Sequence, residues 1–343
     1  MPATVRFTDL LNASGGEDGP TGPAIAAALR DSGLLAEMAE LTEAGADPLP
    51  LFRTLVEVGR ISLSAGRILE GHVNALKLLR LYGRSQYEPT AGDLLGIWGA
   101  DGPDPARIEG DVLRGQKLFA SGADVLTGAL VTVRDGERIR LLFFTRDRLE
   151  GRLFPGEWAV SGMKATASGR CNLEGVRLSE ARFIGEPDDY LVEPHFQGGV
   201  WRYAAVQLGA MFALTGIVAR QLRQRGQEDA PLQLMRLRRM VTACETCRLW
   251  LENAARAVER PGAEARDAEG AILARLLTAE EAVAVLNAAD QSLGASSFAT
   301  GHPAERIRRD LGFYLRQADP DGLGQGAMTR LLADRDLSKR WLG

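Results

Sequence analysis

Residues able to do chemistry gather late in the chain. Gln291 and Gly294 close a long helical pattern, a polar loop carries Gly301, His302 and Pro303, and a short basic segment follows with Glu305, Arg306, Arg308, Arg309 and Asp310. That segment runs into Gln317-Ala318-Asp319-Pro320, where the proline cannot continue a helix. Earlier, Cys244 and Cys247 form a CxxC inside a helical pattern, MVTACETCRLW. A structural zinc site needs four ligands and a thioredoxin-type motif needs a preceding strand, so two small semi-buried helix residues are expected here. His72 sits beside Gly71 in an apolar helix, where a polar contact and a catalytic role are both open. No GxGxxG follows a strand and no P-loop occurs, so a Rossmann dinucleotide site or an NTPase is not supported.

The elements that must position these residues change character twice. Residues 11–23 are rich in Gly, Pro, Asp and Ser and read as a loop. Helical periodicity follows, and from Leu51 to Tyr82 Leu55, Val58, Ile61, Ile68, Leu69, Val73, Leu76 and Leu79 recur near the helical period. Gly59, Gly66 and Gly71 within that stretch suggest close packing against a neighbour. Between Leu94 and Ile184 come short runs with a period near two: LLGIWG, DVLRGQKLFA, ALVTVRD, IRLLFFTRD, GEWAV and CNLEGVRLSEARFI. Asp135-Gly136 marks a hairpin, and the whole reads as a β barrel or sandwich. Helices then return. Val200–Gln221 is almost continuously apolar, Pro231 opens a second helix through Arg260, Ala268–Leu293 forms a third, and a terminal helix lies around Met328–Trp341. The fold class is α+β: an N-terminal helical domain (1–88), a central β-barrel domain (89–195) and a C-terminal four-helix bundle (196–343).

A chain of 343 residues supports two or three packed units. A formal charge of −4 argues against a nucleic-acid binder or a polybasic membrane protein. The three cysteines make no disulfide framework, and the sequence shows no signal peptide and no long apolar span, so a cytoplasmic location is expected.

From about Leu51 to Gln317 the chain resembles the acyl-CoA dehydrogenase family. The resemblance rests on EGHVNAL (70–76), RGQKLFASGADVLTGALV (114–131), WAVSGMKATASGRCNLEGVRL (158–178) and the Gln291–Asp310 region. It implies an FAD between the β domain and the bundle, completed by a second subunit, and hence a homo-oligomer, a dimer or tetramer, or a hetero-oligomer with a homologue. Phe119 would offer a flat face to the isoalloxazine ring, Ser121 would hydrogen-bond its N5 edge, and Trp98 falls in a loop covering flavin and substrate. Core packing for the two aromatics and a turn role for Ser121 stay open. Arg225 resembles the arginine that reaches the partner's FAD diphosphate, although Gly-Gln-Glu replaces the family's following residues and a solvated arginine run (Arg220, Arg223, Arg225) is the alternative. Gln291 and Gly294 match the Gln and first Gly of the adenine- or diphosphate-binding loop, with Ala295 replacing the second Gly.

On the substrate side the family's carboxylate base is missing. Its commonest position corresponds to Ala318, and the other, at the start of the first bundle helix, to Trp201 before Arg202. Asp319 could serve after a one-residue shift, and equally suits a turn before Pro320. The resemblance implies an FAD-dependent oxidoreductase acting on an acyl thioester of CoA or a carrier protein, or on a related small molecule, with an atypical base. The alternatives are a flavin monooxygenase or oxidase, and a non-catalytic subunit paired with an active homologue.

Overall fold

The computed structural model describes residues 1–14, 19–83, 88–317 and 319–343. They cluster into two compact units, one of residues 1–46, 67–160 and 164–192, the other of 47–66, 161–163 and 193–343. The chain opens with α1 (Ala3–Ser14), α2 (Gly22–Asp31) and α3 (Leu34–Leu41). Of the loop expected over 11–23, residues 11–14 continue α1 instead, because Ala3, Phe7 and Leu11 form a buried stripe, and residues 15–18 lie outside the described residues. The first residues of α2 are set by Thr21, whose hydroxyl caps Ala24 N–H at 3.4 Å.

The long helix expected over 51–82 is two helices, α4 (Pro48–Ile61) and α5 (Leu63–Tyr82). Ser62 separates them in an extended conformation (φ −155°, ψ 117°), and its hydroxyl accepts Ala65 N–H at 3.3 Å as the cap of α5. Within the second unit Gly59 of α4 lets the chain cross α6 (Trp201–Gln224): a Cβ there would lie 2.2 Å from Val206 O, and one on Gly209 would lie 2.1 Å from Val56 O. Gly66 would meet Val206 at 2.3 Å, whereas Gly71 has nothing within 4 Å, so close approach explains two of the three helix glycines.

The strands belong to the first unit. β1 (Leu95–Trp98) and β2 (Arg107–Glu109) lie along one edge of β5 (Gly128–Asp135), both parallel to it. β3 (Val112–Arg114) pairs with β2, β6 (Arg138–Thr145) pairs antiparallel along the whole of β5, and β9 (Arg182–Ile184) adds to β6. The hairpin expected at Asp135-Gly136 is present, with Asp135 opposite Arg138 and Gly136 at φ 60°. β4 (Gln116–Lys117), β7 (Leu153–Phe154) and β8 (Arg170–Asn172) make a separate three-stranded sheet. The expected closed barrel is not formed: the larger sheet runs β3-β2-β5-β6-β9 with its ends unjoined among the described residues, since β1 and β2 occupy one edge of β5 and stop there. GEWAV carries no strand, because Pro155 and Gly156 set a tight helical turn.

In the second unit α6 packs with α7 (Pro231–Glu259), α8 (Ala268–Leu293) and α9 (Pro303–Tyr314), followed by α10 (Pro320–Ala333) and α11 (Arg335–Leu342). The terminal helix is thus two, divided where Asp334 caps α11 through Asp336 and Leu337 N–H. Gln197–Gln224 is long and apolar enough to span a membrane by length and composition, which corrects the expectation of no long apolar span. The window is 78% buried inside the protein, as expected of a core helix of the bundle.

Candidate active site

In the first unit the loop after β4 is tied down at alternate residues. Leu118 N–H donates to Ala100 O at 3.0 Å, Ala120 N–H to Gly169 O at 2.8 Å and Gly122 N–H to Thr166 O at 2.9 Å. Phe119, held between two of these bonds, has φ 52°, a conformation that bulky residues adopt only at a cost of roughly 1–3 kcal/mol. The residue is 56% exposed, and its ring stands edge-on to Trp158, centroids 5.8 Å apart. Trp98, expected in a covering loop, instead ends β1 and is buried, because its indole N–H is drawn inward to donate to Ser121 O at 3.0 Å. The structure therefore brings Trp98, Phe119 and Ser121 together.

A charged residue that the sequence reading passed over joins them. Arg67 of α5 donates through Nε to Ser121 Oγ at 3.2 Å and pairs through Nη1 with the fully buried Glu70, whose other oxygen accepts Asn74 Nδ2 at 2.6 Å. The signal was a polar stripe at positions 67, 70 and 74, spaced three and four apart within a buried helix. Lys117, in the RGQKLFASGADVLTGALV segment, is structural. Its ammonium meets Asp101 Oδ1 at 2.6 Å, Thr132 Oγ1 at 2.9 Å and Gly99 O at 3.3 Å, one partner for each donor. Burial lowers its pKa against the opposing pull of Asp101. Tyr190 is pushed up to about 12 by burial, with Arg67 acting the other way.

The two base positions have separate fates in the second unit. Trp201 is fully buried 6.5 Å from the Phe52 ring, and its Nε1 donates to Glu259 Oε1 at 3.2 Å. Arg202 donates to the same oxygen at 2.7 Å, a pair with both side chains under one-tenth exposed. Ala318 lies outside the described residues. Asp319 is exposed, has φ 44°, and caps α10 by accepting Gly322 N–H at 3.2 Å. Asp310 of the basic helix accepts Met163 N–H at 2.7 Å, and burial raises its pKa.

Gln291 and Gly294 lie at the C-terminal end of α8, and among the described residues Arg225 makes no direct hydrogen bond to either. Arg225 reaches Leu293 O at 3.5 Å and Gln221 Oε1 at 3.0 Å, Arg236 reaches Gln291 O at 3.3 Å, and Gly294 turns the chain at φ 74°. His302 caps α9 through Nδ1 and bonds Gln221 through Nε2. Phe298, half exposed, lies 3.4 Å from the Arg308 guanidinium, which also faces Asp290. Cys244 and Cys247 are buried free thiols pushed up to about 11 and about 12 by burial, so they are not nucleophiles. His72 is buried too, with Nδ1 accepting Leu95 N–H at 3.1 Å: a structural contact between α5 and β1.

Residues 192–314 match the family model described as acyl-CoA dehydrogenase, C-terminal domain. The chain has the acyl-CoA dehydrogenase fold. Among solved structures with this fold, dibenzothiophene monooxygenase TdsC from Paenibacillus sp. A11-2 superposes with a TM-score of 0.77 at 18% identity, covering 97% of this chain and 95% of its own. XiaF from Streptomyces sp., solved with FADH2 and glycerol, gives 0.73 at 17% identity over 96% and 93%. In sequence, the chain is 27% identical over 219 residues to 3-(aryl)acrylate reductase of Clostridium sporogenes (strain ATCC 15579). That alignment covers 60% of this chain and 57% of the reductase. XiaF was solved with FADH2 and TdsC also with FMN, so flavin is bound in neighbours that share this fold.

Proposed function

We propose that this chain is a flavin-dependent oxidoreductase whose flavin ring meets Phe119 and Ser121, with Trp98 buried behind them and holding Ser121 O, and whose substrate chemistry proceeds without carboxylate abstraction of a Cα proton. The observation that carries the flavin assignment is Phe119: a large apolar ring, exposed, in a costly backbone conformation fixed by bonds on either side. A flat heteroaromatic ligand would cover it, and the Ser121 hydroxyl beside it would meet that ligand's polar edge. The donor set fits a flavin on that ground. Arg225, Gln291 and Gly294 would meet the diphosphate or adenine of the FAD of a second copy, as the family resemblance implies, making FAD rather than FMN the cofactor. When bound, the reduced flavin supplies the electrons for activation of dioxygen.

The monooxygenase reading is favoured by what occupies the base positions. Trp201 is committed to packing and to Glu259, and Asp319 faces solvent as a helix cap. Neither presents a carboxylate that must come within hydrogen-bond reach of a substrate Cα–H. The C-terminal family match and the similarity to an acrylate reductase favour the second reading, oxidoreduction of an acyl thioester or a related unsaturated acid, with Asp319 as the shifted base.

One experiment separates them. The purified chain is loaded with FAD and mixed anaerobically with a panel of acyl-CoAs; in parallel it is reduced with NADH and a flavin reductase, then exposed to oxygen with small aromatic substrates. The proposal expects no bleaching by acyl-CoAs and oxygen-dependent hydroxylated product. Bleaching by an acyl-CoA with no product in the second arm would overturn it in favour of the thioester reading.

A further inference from the structure

The geometry points to Arg67 as a positioning residue that makes Ser121 an obligate hydrogen-bond donor toward the flavin. The inference rests on the flavin reading above. A serine hydroxyl has one hydrogen and two lone pairs, and its direction is set by whatever fills the lone pairs. Arg67 Nε fills one at 3.2 Å, and a guanidinium can only donate, so the Ser121 hydrogen cannot turn back toward α5. Among the described residues its one acceptor is Phe119 O at 3.5 Å, the outer limit of a hydrogen bond. The hydrogen is therefore left for a ligand acceptor, and N5 of an oxidised flavin is such an acceptor.

Arg67 can do this because it is itself held. Its Nη1 pairs with Glu70, which is fully buried, and Asn74 fixes the second Glu70 oxygen at 2.6 Å. The planar fork of an arginine serves both partners at once, with Nε on the serine and Nη1 on the carboxylate, whereas a lysine is a point charge. On the far side, Trp98 Nε1 occupies Ser121 O at 3.0 Å, so the backbone and side chain of Ser121 are each fixed by one donor. Asn74, Glu70, Arg67 and Ser121 form one chain of polarised bonds running from inside α5 to the loop that carries Phe119. The Glu70 carboxylate offsets the Arg67 charge, so the arm acts by orientation.

The test is a set of flavin titrations on the full-length protein, with FAD and FMN as probes, reading dissociation constants from fluorescence quenching and the visible absorption spectrum of the bound flavin. The variants are Ser121→Ala, Arg67→Met, Arg67→Lys and the Arg67→Met/Ser121→Ala double. Ser121→Ala and Arg67→Met are each expected to weaken binding about five- to tenfold, the scale of one net hydrogen bond, and to shift the spectrum in the same sense. The double variant should bind no more weakly than Ser121→Ala alone, because the arginine acts through the serine. Arg67→Lys should fall between wild type and Arg67→Met. Multiplied effects in the double variant, or wild-type affinity and spectrum in Arg67→Met beside a weakened Ser121→Ala, would overturn the inference while leaving the flavin site standing. Wild-type binding in Ser121→Ala would remove the flavin assignment itself and the inference with it. Should Arg67→Met fail to fold by circular dichroism, Asn74→Ala, which loosens Glu70 without touching Arg67, carries the same comparison: partial weakening with the spectral shift supports the arm, and unchanged binding overturns it.

Discussion

Acid should open the seam between α5 and β1 through His72. In the neutral ring Nδ1 accepts Leu95 N–H at 3.1 Å, so a second proton would put two donors face to face in a site only 2% exposed. Burial is the largest cause that lowers its pKa from 6.5 to about 4, with Asp93 opposing and Arg80 adding to the drop. The sign follows from linkage: as pH falls, the unfolded chain takes the proton first, so stability is complete above the unfolded value and is lost between pH 6.5 and about 4. The full shift corresponds to roughly 3 kcal/mol, of which roughly 2 kcal/mol is lost between pH 7 and pH 4.5. Urea unfolding of the wild type and His72→Gln at those two pH values measures it, since a glutamine oxygen can accept the Leu95 bond and does not titrate. The wild type should lose about 2 kcal/mol more than the variant, and the His72 signal should titrate near pH 4 in a protein with only three histidines to assign. Parallel stability losses in the two proteins would refute the reasoning.

Phe119→Gly should raise the melting temperature, by relieving the φ 52° backbone and an exposed ring, while weakening flavin binding; a fall in melting temperature with unchanged affinity would make Phe119 a packing residue. Gly59→Ala should destabilise by more than about 2 kcal/mol because its Cβ would sit 2.2 Å from Val206 O, whereas Gly71→Ala, with nothing within 4 Å, should stabilise by up to about 1 kcal/mol in thermal unfolding. Asp319→Ala should cost about 1 kcal/mol of stability through loss of the α10 cap, and Asp319→Asn, which can still cap, should keep both stability and turnover. Abolished turnover in Asp319→Asn with stability intact would instead establish it as the base.

What could be read in advance depended on whether the signal was local. The β5–β6 hairpin was visible because Gly136 supplies its positive φ and hydrophobic alternation continues on both sides. β2 and β7 were invisible, since strands of three and two residues carry no periodicity. Whether the sheet closes depends on which edges meet, and β1 and β2 sharing one edge of β5 is a non-local fact that no run of residues encodes. The break between α4 and α5 was missed because the apolar spacing continues through Ser62, and a serine three residues before Ala65 was too weak a mark beside that periodicity.

The site divides along the same line. Phe119 and Ser121 are candidates because of a contiguous segment, and Trp98 because of the expected GIWGADG loop; the structure adds that loop bonds and the Trp98 indole hold all three in one place. Arg67 was written in the sequence as plainly as any of them, but a lone arginine on an apolar helix gains meaning only with Glu70 and Asn74 in phase behind it and a hydroxyl in front. The substrate side works the opposite way. By the family resemblance an acid is expected where Trp201 and Ala318 stand, and the structure shows where the nearby charges went: Arg202 pairs with Glu259 inside the bundle, and Asp319 caps α10. The fully buried Arg275 then donates to Leu315 O at 3.1 Å and Gln317 O at 2.8 Å, where a cation at the end of α9 offsets the free carbonyls. Leu315 and Gln317 are thus held by a buried cation, and the Asp319 carboxylate that follows is turned to solvent as the cap of α10.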